Sequence, residues 1–192
     1  MDSVEMIRNR VAAVRAQSRA LADSASGLDW SAPVLPGTSP LGLTLWHLPR
    51  TLDWLVNTTV RGVPEVADEP RFASLPDPGI FGFGTGLSPE QAQSAAGDVD
   101  PETLAAYADA VHQAADSWLA TLSPGDLDKP VPEFRNRQKA RPAYSTPAAL
   151  AEVEHLPELP LGALLMRPAT SHLLMHLGEL ELLIQQARQA AH

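Results

Sequence analysis

The chain has 192 residues with a formal charge of −9, from 14 Lys+Arg against 23 Asp+Glu, and no cysteine. Its length fits one ordinary domain with a substantial apolar core, and its acidity opposes binding to a nucleic-acid backbone. The absence of cysteine excludes disulfides and thiolate zinc sites, so any nucleophilic sulfur in its chemistry must come from a small molecule.

The opening MDSVEMIRNRVAAVRAQ carries charges at short intervals and lacks the apolar core of a signal peptide, which points to a cytoplasmic protein. No apolar run approaches the roughly 20 residues that span a bilayer. Residues 3–23 read as a first helix, with Val4, Ile7, Val11, Val14 and Leu21 at helical spacing and Ser3 or Asp2 as cap. A Pro/Gly/Ser-rich loop follows, ending with Ser39 as expected N-cap and Pro40 at the first position of a second helix. That helix carries Leu41, Leu45, Leu48, Leu52 and Leu55 or Val56 on its apolar stripe and stops at Gly62 and Pro64. Pro49 lies inside it, and a bend is expected just after His47.

Residues 63–101 are turn-rich, with one short turn of helix expected after Ser88 and Pro89. GIFGFGTG in this stretch is not a phosphate loop, since no β-branched strand precedes it and no Lys-Ser or Lys-Thr follows. The third helix is expected from Asp100 and Pro101 to about Leu122, burying Leu104, Tyr107, Ala108, Val111, Ala115, Trp118 and Leu119. Residues 123–165 are proline-rich, with the basic run RNRQKAR and a short helix at 147–155. The last helix is expected from about Pro168 to Ala190. Four long helices and no strand predict an all-α fold, a four-helix bundle with long crossover connections filling one domain over residues 1–192.

In SHLLMHLGELELL, His172 and His176 stand four residues apart, roughly 40° around a helix, so two imidazoles can share one ion. Glu179 lies a turn further on and can accept from an imidazole or act as a base. His47, between Trp46 and Leu48 on another helix, is the natural third ligand. Three imidazoles leave an open position, as in catalytic zinc sites; nickel and iron suit the same donors. Arg50 and Asp53, near His47, are candidates to orient an imidazole or move a proton. The plainer reading, edge histidines with no metal in a bundle that binds a small molecule or partner, stands beside this one. His112 can face the core or a substrate, His155 sits just ahead of Pro157 in a loop, and His192 is terminal. Trp46, Trp54 and Trp118 read as core, and RNRQKAR as a solvated loop whose arginines can attract a carboxylate-bearing substrate.

The second helix, with Leu35-Pro36-Gly37 upstream, His47-Leu48-Pro49-Arg50, Asp53 and Gly62-Val63-Pro64, resembles the start of the mycothiol-dependent maleylpyruvate isomerase family, within the broader DinB/YfiT-like metal-binding bundles. The stretch RPATSHLLMHLGELELL looks like that family's last helix, so the resemblance places His47, His172 and His176 on the three ligand positions. The isomerases typically carry glutamate where His172 stands, Pro49 is unusual, and no further C-terminal domain is expected here. The resemblance implies a low-molecular-weight thiol of the mycothiol type as cosubstrate, attacking a small electrophile by transfer or by cis-trans isomerisation, and a homodimer. The alternative in the same fold is a hydrolase or lyase that activates water.

Overall fold

The computed structural model describes residues 2–190, so His192 lies outside the described residues. Helix α1, Ser3–Ser24, is capped by Asp2, whose carboxylate accepts from the Glu5 N–H at 2.9 Å. Its buried Val4, Ile7, Val11 and Val14 recur every three or four residues, which is why one stripe of this helix faces the interior. Helix α2, Leu41–Asp53, is buried at every residue. Pro40 stands at its cap with no side-chain bond, so Ser39 does not cap it as expected.

Pro49, the reason to expect a bend after His47, does not interrupt the helix, and the first departure from α-helical hydrogen bonding comes later. α2 runs through Pro49 to Asp53 and then widens into a π-helix, Trp54–Arg61, closed by Gly62 at φ +66°. Pro49 deletes one backbone donor, but a helix enclosed by protein on every side is held by its packing more than by any single bond.

The connection that follows is more helical than its sequence suggested. After 3₁₀ turns at Val66–Asp68 and Pro70–Phe72 come α3, Pro78–Phe81, and α4, Pro89–Gly97. α4 is nine residues long because Ser88 and Gln91 form a reciprocal capping box ahead of Pro89. Helix α5, Pro101–Leu119, is capped by Asp100 accepting from Thr103 N–H at 2.8 Å. Short helices α6, Phe134–Gln138, and α7, Pro147–Glu152, punctuate the next connection, α7 ending three residues earlier than expected. The last helical stretch opens seven residues before Pro168 and changes character twice: α8, Leu161–Met166, a π-helix, Arg167–Ser171, and α9, His172–Ala190.

The long helices pack on one another, α1 against α5 and α9, and α2 against α4, α5 and α9. Among the described residues there is no strand, only an isolated bridge between Pro130 and Pro160, so the fold is all-α. Trp46, Trp54, Tyr107, Phe134 and Tyr144 are the large aromatic side chains fully enclosed in the core, and Trp118 packs against its edge. No described helix is long and apolar enough to cross a membrane.

Candidate metal centre

His47 comes from the middle of α2, and His172 and His176 from the first two turns of α9. Because α9 regains regular α geometry at His172, the four-residue spacing places both its histidines on the side that meets α2. One ring nitrogen from each lies within 4.8 Å of the others. The Nε2 atoms of His47 and His172 are 3.2 Å apart, close to the separation of about 3.3 Å that two nitrogens adopt on a tetrahedral ion with metal–nitrogen bonds of 2.0–2.1 Å. The three rings meet edge to face, with centroids 4.7, 4.9 and 5.5 Å apart.

The outward nitrogens are tied down. His47 Nδ1 bonds the Phe83 carbonyl. A carbonyl only accepts, so the proton sits on Nδ1 and Nε2 presents its lone pair to the centre. His176 Nδ1 bonds Glu179 Oε2 at 3.1 Å, with the same consequence for its Nε2. Ligating histidines are oriented in this way, by a carbonyl or carboxylate on the other nitrogen. Burial, and then the neighbouring His176, push the His47 imidazole down to about 3, and burial also lowers His172, so both are neutral at pH 7 and able to ligate.

The segment that receives His47 is the glycine-rich GIFGFGTG. Gly82, Gly84 and Gly86 all adopt positive φ, which only glycine does at low cost. Gly84 packs so closely that a Cβ there would lie 3.2 Å from His47 Nδ1. The sequence marked this loop only as something other than a nucleotide site. Its glycine density was the available signal, for a close backbone approach to a side chain instead of to a phosphate.

Arg50 and Asp53 lie one and nearly two turns beyond His47, and both are fully enclosed. Arg50 donates to Asp53, Tyr107, Glu65 and Tyr144, and to the Gly82 carbonyl at 3.4 Å. Asp53 accepts from Asn57, Tyr107 and the backbone N–H groups of Val66 and Ala67. Burial opposes the Arg50 charge, but Tyr107, Glu65, Tyr144 and Asp53 around it keep the guanidinium protonated. None of these bonds reaches the three histidines. Arg50 instead holds the Gly82 end of the loop whose next carbonyl fixes His47, which gives it a positioning role. Glu65, Tyr107 and Tyr144, the other members of this network, carry no motif visible in the sequence.

The remaining candidates fall elsewhere. His112 is on α5, buried, its Nδ1 bonded to the Ala108 carbonyl at 2.7 Å, and it lines a cavity between α1, α2 and α5 with Trp30, Leu45 and Pro49, away from the histidine cluster. The arginines of RNRQKAR are engaged with the chain itself: Arg135 with Glu158, Arg137 with the Thr59 and Val60 carbonyls, and Arg141 with Asp68 and Glu65. The run lies at the surface as a solvated loop would, but each of its arginines already has a partner within the chain. A small cavity of about 60 Å³ does adjoin His172, lined among others by Thr51, Trp54, Thr85, Glu152, His155 and Arg167.

The comparison with curated proteins gave no match. A family model described as the DinB superfamily matches residues 10–180, a span that contains all three histidines, and the chain therefore belongs to the DinB superfamily.

Proposed function

We propose that this chain is a metal-dependent enzyme in which His47, His172 and His176 hold one divalent ion, zinc in the simplest case, and that it transfers or reversibly adds a low-molecular-weight thiol to a small electrophile. The observation that carries the reading is the convergence of three imidazoles, two of which are anchored through Nδ1 to a carbonyl and a carboxylate. Membership of a superfamily of metal-binding helical proteins supports it.

With three protein ligands, the ion when bound would keep a position open and stabilise a thiolate there at neutral pH. The residues of the chain prepare that position. The Phe83 carbonyl selects the His47 tautomer with Nε2 free. Glu179 does the same for His176. The enclosure of α2 keeps His47 neutral and excludes water from one side of the cluster. With no cysteine in the chain, the sulfur must be brought in, and the resemblance to the maleylpyruvate isomerases suggests mycothiol.

Elemental analysis of protein purified without chelator tests the first step, with about one equivalent of zinc, nickel or iron expected. Cobalt substitution tests the second: adding a thiol should produce an intense sulfur-to-cobalt band in the near ultraviolet. A cobalt spectrum indifferent to thiols would overturn the thiol reading and favour activation of water in a hydrolase or lyase. Protein that neither carries nor accepts metal would overturn both.

A further inference from the structure

On the side of α2 away from the histidines, a cavity of about 430 Å³ lies between α1, α2 and α5. Leu45 and Pro49 stand four residues apart on α2 and form its floor, while His47, roughly half a turn from each, projects from the opposite side of the helix. The space is thus separate from the histidine cluster, whose own adjoining cavity is about 60 Å³. Protein interiors rarely leave voids much larger than a water molecule, whereas sites for small molecules span about 300–1,000 Å³.

Side-chain size keeps the space open. On the walls that α1 and α5 contribute stand Ser18, Ala22, Ala105 and Ala108, all half-buried. Leucine or phenylalanine at these positions would fill the space with the chain itself, as the rest of the core is filled. Leu28 and Trp30, also half-buried, and the buried Leu104 complete an apolar wall. The polar groups set into that wall are spent within the chain: the Ser18 hydroxyl donates to the Val14 carbonyl at 2.8 Å, and the Trp30 indole to the Ala25 carbonyl at 3.0 Å. His112 Nε2 is enclosed by protein and offers nothing to a ligand. The charges at the mouth cancel, Arg15 and Arg19 being matched by Asp23 and Asp109, with Arg15 and Asp109 paired at 2.6 Å. Such a lining penalises an ion, which would lose its water without gaining a partner, and favours apolar surface. An apolar cavity of about 150 Å³ takes up a single benzene ring, so this one has room for about two fused or linked rings.

We propose that this cavity is a binding site for a neutral, largely apolar small molecule of about two rings, held by contact with Trp30, Leu45, Pro49 and Leu104. The site stands apart from the histidine cluster and from the chemistry proposed for it, and either can fail without the other.

The test uses the full chain and prodan, a neutral naphthalene dye whose emission brightens and moves to the blue in apolar surroundings. Prodan should bind saturably, one molecule per chain, and equally with and without zinc. Anilinonaphthalene sulfonate, similar in size but anionic, should bind at least roughly tenfold more weakly. Ala105→Phe and Ala22→Leu push side chain into the space from two different helices, and each should weaken prodan binding at least roughly tenfold. Ala106→Phe, at an exposed position of α5, should bind like the parent. Cooperative thermal unfolding would check that each variant is folded. No saturable blue shift in the parent, or unchanged binding in a folded blocking variant, would overturn the site. Equal affinity for the sulfonate would overturn the neutral class of ligand.

Discussion

Gly84 lies directly against His47: a Cβ built on Gly84 would come within 3.2 Å of the imidazole Nδ1, and the glycine sits at φ +92°. Alanine there would meet backbone strain and would press on the atom that anchors His47 to the Phe83 carbonyl. Gly84→Ala should therefore lower zinc affinity by about 10- to 100-fold, the range found when groups that orient a ligand are disturbed. It should also cost about 1–2 kcal/mol of folding stability. Competition against a chromophoric chelator and urea unfolding would measure the two effects. Unchanged affinity would mean that the loop does not set the orientation of His47.

The two histidines of α9 are only partly buried, whereas His47 is enclosed. His172→Ala and His176→Ala should then leave the metal-free protein within about 1 kcal/mol of the parent, as changes at accessible positions commonly do. Both should abolish the rise in melting temperature that zinc gives the parent. A ligand at 100 times its dissociation constant contributes about 2.7 kcal/mol, so the difference is easily read by calorimetry. A zinc-dependent rise that survives in both variants would place the ion elsewhere.

Arg50 is bonded to five partners inside the protein, among them the buried carboxylates of Asp53 and Glu65. Removing it leaves those carboxylates enclosed without their shared cation. Arg50→Met should cost about 3–5 kcal/mol, the range for breaking a buried ion pair from one side. Arg50→Lys should recover little, because one ammonium cannot reproduce a planar fork serving a carbonyl, two carboxylates and two phenols. Urea midpoints would check both, and a loss under 1 kcal/mol for Arg50→Met would show that the network relaxes or admits water.

The helices and the pairing of His172 with His176 were legible because both rest on local spacing, whereas His47 was brought to them by its setting on another helix and by the family resemblance. The apolar residues of α1 and α5 repeat at helical intervals, and His172 and His176 share an edge at any position a helix could occupy. What supports the ligands was not legible, because it depends on segments remote in sequence. Phe83 meets His47 across 36 residues, and Tyr144 meets Arg50 across 94. Pro49 has a strong local effect on a helix, yet α2, enclosed along its whole length, stays α-helical through it to Asp53, and the π-helical stretch that follows from Trp54 carried no signal in the sequence. The RNRQKAR run read as a solvated loop, and the partners of its arginines, Glu158, Asp68 and the 59–60 carbonyls, could not be foreseen because they come from other parts of the chain.

His112 offers a pH signature independent of the metal centre. Burial pushes its imidazole down to about 4 from an ordinary value near 6.5, even though the Ala108 carbonyl favours the protonated form. In the unfolded chain this histidine takes up its proton as the pH falls through about 6.5, while the folded protein resists until about 4. Between these values the unfolded state binds more protons, so stability is lost as the pH is lowered, at up to about 1.4 kcal/mol per pH unit for this group. His112→Phe removes the titration together with an unpartnered buried Nε2, and it keeps an aromatic ring of similar size. Unfolding free energies of chelator-treated protein at pH 7, 6 and 5 should thus fall less steeply in His112→Phe than in the parent, by close to one proton in the slope. His47, also pushed down, to about 3, should keep a residual slope in the variant. Identical slopes in parent and variant would mean that His112 is protonated as easily in the folded protein as in the unfolded chain, and that the cavity beside it is wetter than its lining implies.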